Sequence, residues 1–427
     1  MSTDHAVKRV TALPATALVR FPPGLAGICL DEIRALTDTW PAKKGCRLSL
    51  ETNEKFIVIR DFAFRQLASL ALFCGTGREI FYVAGEFRAR SREDIGRGLR
   101  RLPLAAFGRD GTTISLRADS RNSRLWHEGL LQELAVPVFR EQGWELVTGD
   151  ARLPLRLDVE DNRARLLLPL GGQPPLFHRG YKGSGSTVAP MAENLARALA
   201  LWLQNFAGER PGLVYVPFAG SGTPGLEALL LLRGLAPGGA PRQLAMEHWP
   251  ACPGPTLEWY RRQAAGGERG PPLPMDFLEI DEAQLRSLRN HGRDFFRAFA
   301  TAGMTADQHP VTRFMQGDYF RYLPRRPEGG HLMMLMNPPR NQRLFAGRDV
   351  VTWYRRAGRR LPAILREGFD RITGYCLAAG EDCRRSFLDG ARPERHETLH
   401  FSQGGRHVMA VAVDLRNKTG AGDAVQA

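Results

Sequence analysis

Apolar and polar positions recur at two different spacings along the chain, and the change between them divides it. Ala17–Phe21 is a short apolar run of strand type, and Pro22-Pro23-Gly24 then opens a segment in which Leu30, Ile33 and Leu36 share one helical face. Phe56–Ile59, Glu79–Ala84, Thr113–Arg117 and Leu155–Val159 predict further strands, while Ser123–Val138 carries apolar residues at helical spacing. The first half is therefore expected to be mixed α+β. HRGYKGSGST, within Leu176–Thr187, is rich in glycine and hydroxyl residues and reads as a linker. Beyond it the pattern becomes helix (Ala189–Phe206), buried strand (Leu213–Pro217), helix (Pro224–Leu232), strand (Phe277–Ile280), helix (Glu282–His291) and strand (His331–Met336). Such alternation predicts a parallel sheet covered by helices on both faces. A Pro/Gly-rich insertion between Gly234 and Met275 carries Trp249 and Trp259-Tyr260, rings that predict partial order.

Composition narrows the partners. The chain has 427 residues, enough for two or three domains with their own cores, and 43% hydrophobic residues, which excludes a disordered or fibrous protein. Lys+Arg number 59 against 45 Asp+Glu, a formal net charge of +14, which favours a polyanion such as nucleic acid. Arg88, Arg90, Arg92, Arg97, Arg100 and Arg101, then Arg117, Arg121 and Arg124, cluster in the first half. They read either as solvated faces or as a surface that tracks phosphates. The six cysteines (Cys29, Cys46, Cys74, Cys252, Cys376, Cys383) form no C-x-x-C pair, so no metal site and no disulfide framework is expected. MSTDHAVKRV lacks a signal-peptide core, and Gln66–Cys74 and Leu195–Leu203 fall short of the roughly 20 residues that span a bilayer, so a cytoplasmic protein without a membrane partner is expected.

Four motifs carry the candidate chemistry. Pro217-Phe218-Ala219-Gly220-Ser221-Gly222-Thr223 lies between a strand and a helix, where glycines let a ligand approach the backbone. Leu278-Glu279-Ile280-Asp281 ends the next strand. An acid there can accept both ribose hydroxyls of a nucleoside cofactor, and Glu279 fits best, while Asp281 reads equally as a helix N-cap. The distance from the glycine loop and the missing third glycine argue against a dinucleotide. Asp318, in FMQGDYF, is placed to receive an adenine amino group or to serve as a turn residue. Asn337-Pro338-Pro339 follows the strand LMMLM; two prolines hold carbonyls outward and Asn adds an acceptor, an arrangement that suits a planar exocyclic amine. No strong general base is required.

With these motifs in order, the chain resembles the THUMP-domain RNA methyltransferases. HRGYK at His178–Lys182, APMAENLARAL at Ala189–Leu199, PFAGSGT at Pro217–Thr223 and NPPRNQRL at Asn337–Leu344 carry the likeness, with ADSRNSRLWHEG at Ala118–Gly129 and LRLDVEDNRARLLLPL at Leu155–Leu170 for the THUMP part. It covers roughly Val19 to Leu415. The nearest likeness is to the N-terminal half of the bacterial 23S rRNA guanine-N2 methyltransferases. It implies a Rossmann-like class I methyltransferase domain (residues 189–417) preceded by an α+β module: a ferredoxin-like segment (1–51), a THUMP RNA-binding domain (52–172) and a linker (173–188), with a flexible tail at 418–427. It further implies S-adenosylmethionine in a cradle of Pro217, Phe218, Gly220, Ser221, Gly222, Thr223, Glu279, Asp281 and Asp318. Catalysis would fall to Asn337, Pro338, Pro339 and Arg340, and RNA contacts to Arg117, Arg121, Asn122, Arg179, Tyr181 and Lys182. The expected partner is RNA, with no obligate protein partner evident.

Three positions depart from the family pattern. Val216 replaces an acid that helps hold the methionine end of the cofactor, Arg340 an aromatic that stacks on the target base, and Ala192 a lysine. A guanidinium can itself stack on a base. Two readings thus stand beside a 23S rRNA guanine-N2 methyltransferase: a catalytically silent RNA-binding or ribosome-assembly factor, and a tRNA guanine-N2 methyltransferase. A DNA amino-methyltransferase shares the Asn-Pro-Pro chemistry but not the first half.

Overall fold

The computed structural model describes residues 2–41, 47–172, 174–182, 191–266, 272–300, 312–326, 329–338 and 349–417. They group into two compact units, one of Met1–Phe21, Cys29–Phe177 and Pro241–Ala264, the other of Pro22–Ile28, His178–Ala240 and Ala265–Ala427. The expected tail at 418–427, and residues 173 and 183–188 of the expected linker, lie outside the described residues.

The first unit is built on one sheet of eight strands: β1 (Pro14–Arg20), β2 (Ser49–Thr52), β3 (Phe56–Ala63), β4 (Glu79–Arg88), β5 (Thr113–Arg121), β6 (Glu145–Leu146), β7 (Leu153–Glu160) and β8 (Arg163–Pro169). Their order is β2-β3-β1-β4-β8-β7-β5-β6. β7 and β8 close a hairpin in which Glu160 pairs with Arg163. The two loop residues, Asp161 and Asn162, have φ of 50° and 59°, a left-handed pair that side chains of this type tolerate and that matches the twist of the strands. β5 instead runs parallel to β7, and the helix Glu128–Arg140 connects them. That helix starts later than the apolar spacing from Ser123 suggests, because His127 caps it: its Nδ1 accepts the Leu130 N–H at 3.2 Å.

The insertion belongs to this first unit, although its place in the sequence is within the expected catalytic domain. Trp249 is buried, with its ring edge-on to Phe107 at 5.6 Å and 6.1 Å from Tyr82. Tyr260, on the helix Gly254–Gly266, donates its hydroxyl to Gln66, and Arg261 pairs with Glu247 at 2.6 Å. Trp249 and Tyr260 are thus the anchors, while Trp259 stays 48% exposed.

The second unit contains β9 (Leu213–Pro217), β10 (Met275–Glu279), β11 (Thr312–Gln316), β12 (His331–Met336), β13 (Arg371–Ala378), β14 (Arg395–Gln403) and β15 (Arg406–Arg416), ordered β11-β10-β9-β12-β13-β15-β14. The first five run parallel, and β15 is antiparallel to both its neighbours. β9 and β12 fall where the apolar runs predict them, buried at every position as central parallel strands must be. The helix expected over Glu282–His291 continues to Ala300. Tyr215, Met334, Met336, Tyr354, Leu361, Phe387 and Val411 share its core. Since β10 lies on one side of β9 and β12 on the other, the chain direction across the sheet reverses at β9. A crevice beyond the carboxyl ends of β9 and β12 is where doubly wound sheets bind ligands. Among the described residues no helix is long and apolar enough to cross a membrane.

Candidate active site

Strand register brings the four motifs to one edge. Met334 pairs with Tyr215, which sets Asn337 and Phe218 level just past the ends of β12 and β9. Leu278 pairs with Pro217 and Glu279 with Gln316, so Glu279 and the Gly317-Asp318 turn complete the row. Motifs spread over 121 positions of sequence, from Pro217 to Pro338, thus meet along one crevice.

The glycine loop is a tight turn with two left-handed glycines, Gly220 (φ 53°) and Gly222 (φ 81°). A side chain on Gly222 would strike Leu288, whereas over Gly220 the space is open among the described residues, with only Gln284 Oε1 within 4 Å. One glycine therefore serves packing and the other leaves room for a ligand. Ser221 and Thr223 hydroxyls lie 2.9 Å apart, and the buried His291 ring sits 3.2 Å from the Ser221 carbonyl. Pro217 is the last residue of β9; Phe218 also adopts a positive φ of 60°, rare for a bulky residue. Its ring is held 5.1 Å from Tyr319 and 5.5 Å from Trp353, and Arg356 stacks over the neighbouring Phe320 ring at 4.0 Å. This aromatic rim was not foreseen, because Trp353 stands on the helix Val350–Arg366, far along the chain. Buried tyrosine hydroxyls pin that helix: Tyr319 donates to the Ala357 carbonyl at 3.1 Å and Tyr354 to the Leu377 carbonyl at 2.9 Å.

Glu279 is buried yet accepts three backbone N–H groups: Gly220 at 2.8 Å on Oε2, Ile280 at 2.9 Å and Asp281 at 3.1 Å on Oε1. A carboxylate has about four acceptor sites. Acceptor capacity remains on Oε2. Asp281 caps the helix Glu282–Ala300, accepting the Gln284 N–H at 2.8 Å on Oδ1, as the N-cap reading expects. Ile280, unremarked in the sequence, leaves its side chain 65% exposed beside Glu279. Asp318 accepts the Phe320 N–H at 2.9 Å on Oδ1 and is partly exposed. Asn337 is half-buried and Pro338 buried; Pro339 and Arg340 lie outside the described residues. Val216 is buried within β9.

The residues expected to touch RNA separate into two sets. Arg117 is exposed midway along β5, and Arg121 and Asn122 are exposed at its end, Arg121 lying 3.4 Å from Glu54. Arg179, Tyr181 and Lys182 are instead interior, which corrects their placement at an RNA surface. The Arg179 guanidinium lies 3.5 Å from Glu227, Tyr181 donates to the same carboxylate at 3.1 Å, and Lys182 sits 3.1 Å from Glu193. Burial pushes the Glu227 carboxyl up, against the opposing pull of Arg179 and Arg197. Burial likewise lowers Lys182, an effect the Glu193 charge opposes. What reads as a linker is a charge-compensated plug on the helices Glu193–Ala207 and Thr223–Leu232.

No protein-family model matches the chain. It is 26% identical over 362 residues to the ribosomal RNA large subunit methyltransferase K/L of Syntrophotalea carbinolica, covering 80% of this chain and 46% of that protein. The chain thus spans about half the length of the curated relatives it matches. Among solved structures, SMU.472, described as a methyltransferase and complexed with SAH, superposes with a TM-score of 0.72 at 19% identity over 95% of this chain and 99% of the other. A predicted N6-adenine-specific DNA methylase from Listeria monocytogenes gives 0.73 at 18% identity over 95% and 97%. With strand order and crevice as described, the second unit has the Rossmann-like fold of the methyltransferases.

Proposed function

We propose that the protein is an S-adenosylmethionine-dependent RNA methyltransferase acting on a guanine exocyclic N2, in 23S rRNA. The observation that carries this reading is the meeting of Gly220, Glu279, Asp318 and Asn337 at the strand-order reversal. The residues fit the cofactor: open space over Gly220 admits a backbone-hugging ligand, the remaining acceptor capacity of Glu279 serves the ribose hydroxyls, the exposed Ile280 offers an apolar face to a purine, and Asp318 has an oxygen for an amino group. When bound, S-adenosylmethionine supplies an electrophilic methyl group on a sulfonium and leaves as the neutral thioether. Asn337 Oδ1 and the Pro338 carbonyl would accept the two N–H bonds of the amine, turning its lone pair toward that methyl group. The proton that the methylated amine sheds would pass to solvent. Such a base must be unpaired or flipped to enter. The expected THUMP module, by this reading, is the first unit with its exposed Arg117, Arg121 and Asn122.

Titration calorimetry with S-adenosylmethionine on the wild type and on Asp318→Ala tests the cradle, followed by transfer of labelled methyl groups to unmethylated 23S rRNA transcript. Binding that the substitution abolishes, with label in guanine N2, is the expected result. Label in an unmethylated tRNA transcript offered in parallel, and none in the 23S rRNA, would move the substrate to the tRNA class. The buried, uncharged Val216 favours the second reading, an RNA-binding factor without methyl transfer; RNA affinity with no cofactor binding would establish that one.

A further inference from the structure

The most exposed large apolar side chain of the first unit is an indole. Trp126 has 73% of its surface open to solvent, in the loop between β5 and the helix Glu128–Arg140. An exposed tryptophan on a flexible tether is unremarkable; this loop is fastened at both ends. Ser120 Oγ donates to the Leu125 carbonyl at 2.6 Å, Arg124 N–H to Asn162 Oδ1 at 2.9 Å, Ser123 Oγ accepts the Asn162 N–H at 3.0 Å, and Asn122 donates to Asp161. The partners Asp161 and Asn162 are the left-handed tip of the β7–β8 hairpin. Asn122 itself has φ of 47°, a conformation its short amide tolerates. The buried Leu125 pegs the loop from inside, and His127, ring centroid 5.8 Å from that of Trp126, is committed to capping the helix. The indole is thus displayed rather than merely uncovered.

Exposed arginines share its strand and loop. Arg117 and Arg121 lie on one face of β5, with the exposed Asp119 between them held by Arg156 at 3.0 Å, and Arg124 is in the loop. Among the described residues no ion pair engages Arg117 or Arg124, and the Arg121–Glu54 pair is solvent-exposed on both sides and therefore weak. A rigid aromatic plane beside a strand and loop that bear exposed guanidinium groups matches an unpaired nucleotide: the ring takes the base face, the cations its flanking phosphates. An apolar protein partner would gain nothing from the cations, and duplex RNA offers no open base face.

We propose that Trp126 is a stacking platform for an unpaired nucleotide of the bound RNA, with Arg117, Arg121 and Arg124 holding the adjoining backbone. The inference rests on the RNA partner proposed above but not on methyl transfer. Preorganisation by the hairpin means that little ordering cost is left to binding.

The test uses the full chain without cofactor, an unstructured 12-nucleotide RNA and a 12-base-pair RNA duplex as probes, and fluorescence anisotropy across salt. Trp126→Ala is expected to weaken single-strand binding about tenfold, Trp126→Phe less, and duplex binding hardly at all, with the salt slope unchanged because no charge is lost. Arg124→Gln should instead lower the slope by about 1. Quenching of tryptophan fluorescence by the single strand should shrink in Trp126→Phe. Equal single-strand affinity of Trp126→Ala and wild type overturns the platform, as does an equal loss on the duplex or a wild-type dimer that the substitution dissolves. A wild type that binds neither probe refutes the RNA partner itself, whereas RNA binding without methyl transfer leaves the platform standing.

Discussion

Glu279 accepts the Gly220 N–H at 2.8 Å, tying the acidic end of β10 to the glycine turn that leaves β9. The same carboxylate therefore shapes the turn and offers its remaining acceptor capacity to a ligand. Glu279→Ala leaves three amides without their acceptor, each costing about 1–3 kcal/mol where buried, and should lower the urea midpoint as well as cofactor affinity. Glu279→Gln keeps one carbonyl oxygen, so a fall of about tenfold in S-adenosylmethionine affinity is expected with a smaller fall in stability. Calorimetry and urea unfolding on both variants separate the two roles; unchanged affinity in Glu279→Gln would remove the residue from the cradle.

Asn337 is the group placed to orient the amine. Asn337→Ala should lower kcat by about 100-fold, the scale for losing one preorganised polar contact at a reacting atom, while cofactor affinity and the KM for RNA stay close to wild type. A rise in KM alone would make it a binding residue instead.

The interior position of Arg179 gives a stability prediction in place of an RNA-binding one. Arg179→Met strips a cation from the buried Glu227 and should cost about 3–5 kcal/mol in urea unfolding, the range for breaking a buried pair. Tyr181→Phe, which removes one hydrogen bond, should cost about 1 kcal/mol. At temperatures where both variants remain folded, RNA affinity should match wild type; a selective loss of RNA binding would return these residues to an interface.

Acid sensitivity should centre on Asp414. Its carboxylate, buried on β15, receives Arg371 of β13 through two hydrogen bonds of 2.8 and 2.9 Å. Burial pushes its pKa up, but the Arg371 hydrogen bonds and charge outweigh burial and hold it below the ordinary range. A depressed carboxylate stabilises the fold above its unfolded pKa of about 3.9 and loses that contribution as pH falls through the folded value. Wild-type urea midpoints should therefore drop more steeply below about pH 4 than those of Asp414→Asn, which has no such charge to lose. Parallel pH profiles would discount the pair.

What could be read in advance was local. β9 and β12 are uninterrupted apolar runs bounded by glycine and proline, and being buried on both faces they need nothing else to declare themselves. β11, TRFMQ, is an edge strand with no fully buried position, so its sequence carries no apolar signature. The glycine loop, Glu279, Asp318 and Asn337 are visible as motifs because each sits at or just beyond the end of a strand. Trp353 and Ile280 are not, since one reaches the crevice from a distant helix and the other is an ordinary apolar residue until its strand stops one position early. Arg179 and Lys182 look like surface cations for the same reason: the carboxylates that neutralise them, Glu193 and Glu227, come from helices further along.

The placement of Trp249 bears on how the protein is made. A nascent chain emerging in order exposes all eight strands of the first sheet by Pro169, yet the indole that fills the space beside Tyr82 and Phe107 is 80 residues further on, beyond β9 and its helix. The first unit cannot seal its core until part of the second has been synthesised, so the two mature together rather than in succession, and a chain arrested shortly after Phe177 would hold an aromatic socket open to solvent and to whatever chaperone greets it.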